Sequence, residues 1–395
     1  MMRQRGFSIV ELMVAVVIGM LALLFATRMV TGGAKDRQAA LTGSDAMQNG
    51  MLAMFSMTKD ANQAGFGLND PILAGCNTNL DDTGGYTLAG AQRGGTSIKP
   101  LASVVIVDGV LGPDQISFNA GGALAGTASV RLVDNFAGGT SFGIDREPYA
   151  FNAGDVIVVA PEKPDPAGAV CNLRQVSVTP SPGAATKILR FDSGSNWRYN
   201  GVTLTTPYSG NAARVFNLGP AAKLSFHTWS VENGYLKLRA TDLAGTGNTA
   251  AAVTDNIVSI KAQYGFDTRT GNSFTPETST RIGRWSASMI DADGDGIIGG
   301  PGDYQHVVAV RIAVVARSKE PERKDPGAAA CTATTDAARP VLFATAQPSG
   351  VAAVSVTPTL QVAGDTVDWH CYRYRVFESI VPLRNSAWRP TAWDK

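Results

Sequence analysis

Residues 6–26 read Gly6-Phe7-Ser8-Ile9-Val10-Glu11-Leu12-Met13-Val14-Ala15-Val16-Val17-Ile18-Gly19-Met20-Leu21-Ala22-Leu23-Leu24-Phe25-Ala26. Between Glu11 and Arg28 no side chain is charged. As a helix, residues 7–26 would span about 30 Å, the thickness of a bilayer's hydrocarbon core. Arg3 and Arg5 precede the run and Arg28 follows it; the two leading arginines favour a cytoplasmic N-terminus. A secretory signal has a shorter apolar core with its small-residue cleavage site behind it. Here the small residue, Gly6, stands in front, so cleavage there leaves the helix on the product.

Glu11 interrupts the apolar pattern. A carboxylate at the centre of a membrane helix costs about 2.5–3.5 kcal/mol, and less near an interface. Cleavage between Gly6 and Phe7 would turn Phe7 into a free amine four residues before Glu11. That amine would neutralise the carboxylate within one helix or on a neighbouring helix. A Glu near a helix start is also favoured by the helix dipole and reaches water readily.

With the basic leader and the apolar run, Gly6-Phe7-Ser8-Ile9-Val10-Glu11 resembles the class III signal of type IV prepilins. The resemblance implies that an inner-membrane prepilin peptidase cuts after Gly6 and methylates Phe7. It also implies that Glu11 pairs with the N-terminus of an adjacent filament subunit. The expected organisation is a leader over 1–6, a transmembrane segment over 7–30, an amphipathic continuation over 31–65, and a β-rich periplasmic or extracellular head over 66–395. The fold class is α+β and pilin-like, a long N-terminal helix packed on an enlarged, mainly antiparallel β head.

Composition agrees with such a head. The chain has 395 residues, 17% of them charged, with 43 Gly and 20 Pro, which fits a turn-rich β protein. Net charge is +1 with no basic stripe in the body of the chain, which argues against nucleic-acid binding through many phosphate contacts. Four cysteines, Cys76, Cys171, Cys331 and Cys371, lie far apart with no C-x-x-C. This fits two disulfides in an oxidising compartment. Of the three pairings we favour Cys331–Cys371, bracketing a late loop, and Cys76–Cys171 by remainder.

Thr31-Gly32-Gly33 predicts a weak point or kink, since each Gly disfavours helix. Helical periodicity then returns over 34–64, with Met47, Met51, Phe55 and Thr58 forming a stripe expected to pack on the head. Gly65, Gly67 and Asn69-Asp70-Pro71 end the helix. Strands are predicted over 103–107, 115–119, 128–133, 156–160, 175–179 and 188–191, and then over 213–218, 223–231, 235–240 and 257–266. Two long ones follow over 306–316 and 370–381. Residues 75–210 carry no motif that fixes their fold.

The closing stretch Tyr372-Arg373-Tyr374-Arg375-Val376-Phe377-Glu378-Ser379-Ile380-Val381-Pro382-Leu383-Arg384-Asn385 alternates as a half-buried strand does. It resembles the C-terminal end of PilW-type minor pilins. So do Asp60 with Ala64-Gly65-Phe66, residues 257–267 and residues 307–318. This resemblance implies a non-enzymatic role: a minor pilin that primes type IV pilus assembly and sits at the tip. Its implied partners are other minor pilins, the major pilin, the prepilin peptidase, the inner-membrane assembly platform and a tip adhesin. The protein would reside in the inner membrane and then in the pilus. A J-class minor pseudopilin of type II secretion shares the N-terminal signal and stands as the alternative. A membrane-tethered periplasmic binding domain is the third reading.

Two further patterns bear on chemistry. Asp291-Ala292-Asp293-Gly294-Asp295-Gly296-Ile297 spaces carboxylates as a calcium loop does, with Asp303 near the place of the closing acidic ligand. The competing reading is an Asp/Gly-rich turn whose carboxylates cap backbone amides. No cofactor is required, and calcium is the candidate ligand. Gly139-Thr140-Ser141-Phe142-Gly143 satisfies G-x-S-x-G but lacks the strand-to-helix context of a nucleophile elbow. His227, His306 and His370 have no second His or Cys at metal-ligand spacing, and each reads as a packed or surface histidine.

Overall fold

The computed structural model describes residues 8–122, 129–163, 170–180, 187–276, 278–324 and 327–385, the side chains of 31–43 excepted. Gly6 and Phe7 lie outside the described residues. One helix, α1, runs from Ile9 to Gln63, 55 residues without interruption. Ser8 caps it: its Oγ accepts the Val10 N–H at 3.3 Å, and Glu11 reaches back to the Ser8 N–H at 3.5 Å, a capping box. The helix continues through Gly32-Gly33 without a break. Propensity costs of about 1 kcal/mol per Gly are small against a hydrogen-bonded ladder of this length.

The N-terminal 22 residues, Ile9–Val30, are apolar and wholly unburied by the rest of the chain. Further on, α1 lies on the head, but with a different face from the one expected. Ala46, Gly50, Ala53, Met57, Ala61 and Ala64 are buried, at spacings of three and four. Met47, Met51 and Phe55 are instead 48%, 57% and 68% exposed. Small side chains let the helix axis approach the sheet closely, which the larger apolar residues would prevent. At Gly50 a Cβ would overlap the ring of Phe377.

Two antiparallel sheets receive the helix. One has five strands in the order Ala251–Asp255, Tyr235–Ala240, Ser225–Glu232, Gln115–Ala120 and Val104–Val107. The other has four, in the order Arg284–Ser286, Ile257–Phe266, Val307–Arg317 and Tyr374–Pro382. Val104, Ile116, Phe118, Ile260, Val310, Ile312 and Val314 join Ala53, Met57 and Ala61 in one core. The Ile257–Phe266 strand is buried at every position, because strands of the five-stranded sheet pack on one side and chain from the late loops on the other.

A six-stranded sheet builds the remainder of the head, in the order Pro100–Leu101, Cys76–Asn79, Val170–Gln175, Asp155–Pro161, Ala213–Pro220 and Ser129–Arg131. Cys76–Asn79 and Val170–Gln175 pair in parallel; the other described strand pairs are antiparallel. The Cys76–Cys171 disulfide ties these two strands together, and Cys331–Cys371 holds the late loop against the start of the last strand.

Several boundaries differ from the sequence expectation. The strand expected at 175–179 lies earlier, at Val170–Gln175. The Gln175 N–H turns to Asn200 Oδ1, and Val176 and Ser177 bond to Asp155 and Arg190. The strand expected from 370 begins at Tyr374. Asp368 captures the His370 N–H and starts a turn at Trp369–Cys371, which the disulfide fixes. Residues 221–223 form a turn before Ser225–Glu232, and His306 ends a short helix, α2 (Pro301–Gln305), rather than opening the strand. Of the 128–133 stretch, Ser129–Arg131 is strand and Ala128 lies outside the described residues.

Candidate functional site

The head is locked to α1 near the helix exit. Asp60 Oδ2 accepts from His227 Nδ1 at 2.7 Å and from Trp229 Nε1 at 2.8 Å, both on the Ser225–Glu232 strand. His227 Nε2 faces Asp242 Oδ1 at 2.8 Å. Burial opposes charge on this imidazole, but the two carboxylates outweigh it and raise its pKa to about 9. His227 is therefore a charged clamp between helix and sheet, a role that spacing along the chain did not disclose. Gly65 follows with φ of +83°, a conformation L side chains rarely adopt. A Cβ there would meet Ser103 Oγ at 2.6 Å and the Asn385 backbone at 3.0 Å. Asn385 Nδ2 reaches the Gln63 and Ala64 carbonyls at 3.5 and 3.4 Å. Gly65 and the closing Asn385 thus meet at the helix exit, and α1 also packs on the Val307–Arg317 and Tyr374–Pro382 strands.

On the outer face of α1 the apolar residues stand free. Met51, Met54 and Phe55 line an open groove of about 480 Å³ with Phe377, Ile380 and Pro382 of the last strand. That strand is the edge of its sheet, so its outer backbone groups have no strand partner among the described residues. Edges and apolar surfaces of this kind are covered by other chains in assemblies.

The acidic loop brings three of its four expected ligands together. Carboxylate oxygens of Asp291, Asp293 and Asp303 lie within 4.8 Å of one another, and Asp295 is outside that group. Asp303 is fully buried and accepts from Ala292 N–H at 2.6 Å, Gly299 N–H at 2.7 Å and Gly300 N–H at 3.2 Å. Burial pushes its pKa up to about 6, against the opposing pull of these amides. Asp291 accepts from Gly294 and Gly296 N–H, and Asp295 from Ile297 N–H. The carboxylates therefore already cap amides of their own loop, while three of them converge as a hard divalent cation requires.

Ser141 of the G-x-S-x-G stretch opens a three-residue strand, Ser141–Gly143, paired with Ile188–Arg190. It is not on a strand-to-helix turn. His370 is held by Asp368, and His306 Nδ1 contacts the Asp267 carbonyl at 2.6 Å.

An exposed apolar N-terminal helix continuing into an antiparallel β head defines a pilin-type protein. Residues 1–27 match the prokaryotic N-terminal methylation motif, and residues 228–385 match the family described as Type IV Pilus-assembly protein W. These two matches support reading the chain as a PilW-like, type IV pilus-related minor pilin, and the methylation motif with the apolar start of α1 fits anchoring in the inner membrane followed by incorporation into the filament. No curated protein and no solved structure matches it.

Proposed function

We propose that this minor pilin joins other minor pilins in a complex that primes pilus assembly and stays at the tip, where it supports an adhesin. The supporting observation is the exposed apolar ridge of Met47, Met51 and Phe55 on the head-packed half of α1, in addition to the wholly unburied apolar run Ile9–Val30. A subunit leaving the bilayer for a filament must rebury that surface against neighbours. In this reading the prepilin peptidase cuts after Gly6 and methylates Phe7. Glu11 then compensates the Phe7 amine of an adjacent subunit, and the assembly platform extrudes the complex with the major pilin behind it. Asp291, Asp293 and Asp303 would hold calcium, contributing oxygen ligands that stiffen the loop.

The test is site-specific photo-crosslinking in cells from Phe55 and Met51, together with deletion of the gene. Crosslinks to other pilins and a sharp fall in pilus number support the reading. Unchanged pilus number, or crosslinks confined to secretion-system pseudopilins, overturns it.

A further inference from the structure

The loop between the strands Val104–Val107 and Gln115–Ala120 folds around one buried amine. Lys261 lies on the Ile257–Phe266 strand of the other sheet and is 1% exposed. Its Nζ contacts Asp114 Oδ1, and it donates to Asp108 Oδ1 at 2.9 Å and to the Val110 carbonyl at 3.0 Å. Asp114 is also 1% exposed and sits astride this lysine. Its N–H donates to the Ile260 carbonyl at 2.9 Å, and its Oδ2 accepts from the Ala262 N–H at 2.8 Å. The Gly109 N–H donates to its Oδ1 at 2.9 Å. Val110 adopts φ of +60°, a conformation that β-branched residues avoid. Backbone strain of this kind persists where the surrounding structure holds a site in one geometry.

The charges here do not balance as an ordinary ion pair. One ammonium faces two carboxyl groups, and Asp108 lies within hydrogen-bond reach of Asp114. Burial raises the pKa of Asp114, against the pull of Lys261 and the two amides. At Asp108 burial pushes the same way, but Lys261 and the Val110 N–H outweigh it and lower the pKa. A proton shared between the two therefore rests on Asp114 and leaves Asp108 the carboxylate. Amine, carboxylic acid and carboxylate base then stand together where little water enters, with two backbone amides polarising the acid. These are the components of an amide condensation, already held in contact.

We propose that Lys261 and Asp114 join in an intramolecular isopeptide bond, with Asp108 as the base. Asp108 takes one proton from the ammonium, and the freed amine attacks Asp114 Cγ. The Nζ–Cγ bond forms and the Cγ–OH bond breaks. A second amine proton leaves with the hydroxyl as water, and the amide keeps the third. Asp108 ends protonated and exchanges with solvent through its side chain, which is 34% exposed. No oxidant or external reagent is consumed. The product links positions 147 apart and ties together the two sheets that receive α1. It stands apart from the assembly reading.

Peptide mapping by mass spectrometry of the full chain in detergent tests it. The expected product is a branched peptide joining the segments that contain Asp114 and Lys261, lighter than their sum by one water, about 18 Da. Trypsin should not cut after Lys261. Asp108→Asn keeps an oxygen for the Val110 N–H but lacks the base, and should lower the linked fraction by about tenfold or more. Linear peptides alone from the unaltered chain, with cleavage after Lys261, overturn the proposal whether or not any variant folds. Undiminished linkage in Asp108→Asn overturns the role given to that carboxylate.

Discussion

Asp60 and His227 are 167 positions apart in the chain and 2.7 Å apart in space, and this contact joins the membrane-anchored helix to the sheet behind it. The His227 ring is enclosed by Asp60 from α1, Asp242 beyond the neighbouring strand, and Ser225 Oγ at 3.1 Å. Its pKa of about 9 lies above the ordinary histidine value of 6.5. The clamp's contribution is therefore complete below about pH 6.5 and is lost as pH rises through about 9. At the acid end, partial desolvation raises the Asp242 pKa but His227 outweighs it and holds the carboxylate below its usual range, so its share is lost as pH falls below about 4. Melting of the full chain should be highest between these limits. His227→Gln should flatten the alkaline limb, worth on the order of 2–3 kcal/mol. An alkaline limb equally steep in that variant would show that the clamp is not its source.

The two faces of α1 should respond oppositely to substitution. Gly50→Leu drives a side chain into Phe377 and should cost about 1–3 kcal/mol of head stability by chemical denaturation. Phe55→Ala and Met51→Ala sit on the exposed face and should change stability by less than about 0.5 kcal/mol while reducing pilus number. If the exposed pair proves as destabilising as Gly50→Leu, the packing face has been assigned wrongly.

Processing and assembly should separate genetically. A bulky residue in place of Gly6 should leave the precursor uncleaved, whereas Glu11→Ala should be cleaved yet incorporated poorly. Mass spectrometry of sheared pili reads both: the expected N-terminal peptide begins at methylated Phe7. Normal incorporation of Glu11→Ala would remove the charge-pairing account of that residue.

Calcium titration discriminates between the two roles of the acidic loop. A bound ion should raise the melting temperature of the full chain, and Asp291→Asn with Asp293→Asn should abolish the rise. Asp303 is unsuitable for this comparison because its carboxylate also supports Ala292, Gly299 and Gly300. A melt indifferent to both calcium and chelator would leave the loop as an amide-capping turn.

The long helix and the closing strands were legible because each is a local pattern: an uncharged run between Glu11 and Arg28, and alternation from Tyr374 to Pro382. The packed face of α1 was not. Met47, Met51 and Phe55 carry the strongest apolar signal, yet burial went to Ala46, Gly50, Ala53, Met57 and Ala61, because close approach to the sheet depends on smallness rather than hydrophobicity. The capping box at Ser8 and Glu11 was readable from spacing alone and was overshadowed by the charge of Glu11. In the acidic loop, the 1,3,5 spacing points to Asp291 and Asp293, whose carboxylates converge with that of Asp303. Asp295 instead capped Ile297, a choice made by backbone turns that the spacing does not encode. The His227 clamp depends on Asp60, 167 positions away, which no window along the chain contains.

The two disulfides also determine how the molecule would bear a pull between its membrane anchor and its last strand. Cys76 and Cys171 are 95 positions apart, and Cys331 and Cys371 are 40 apart. Tension entering through α1 would cross each covalent shortcut and bypass the chain it encloses. The parallel strands Cys76–Asn79 and Val170–Gln175 begin at or next to the first shortcut, so their alignment would survive loads that strip unbridged strands elsewhere in the head.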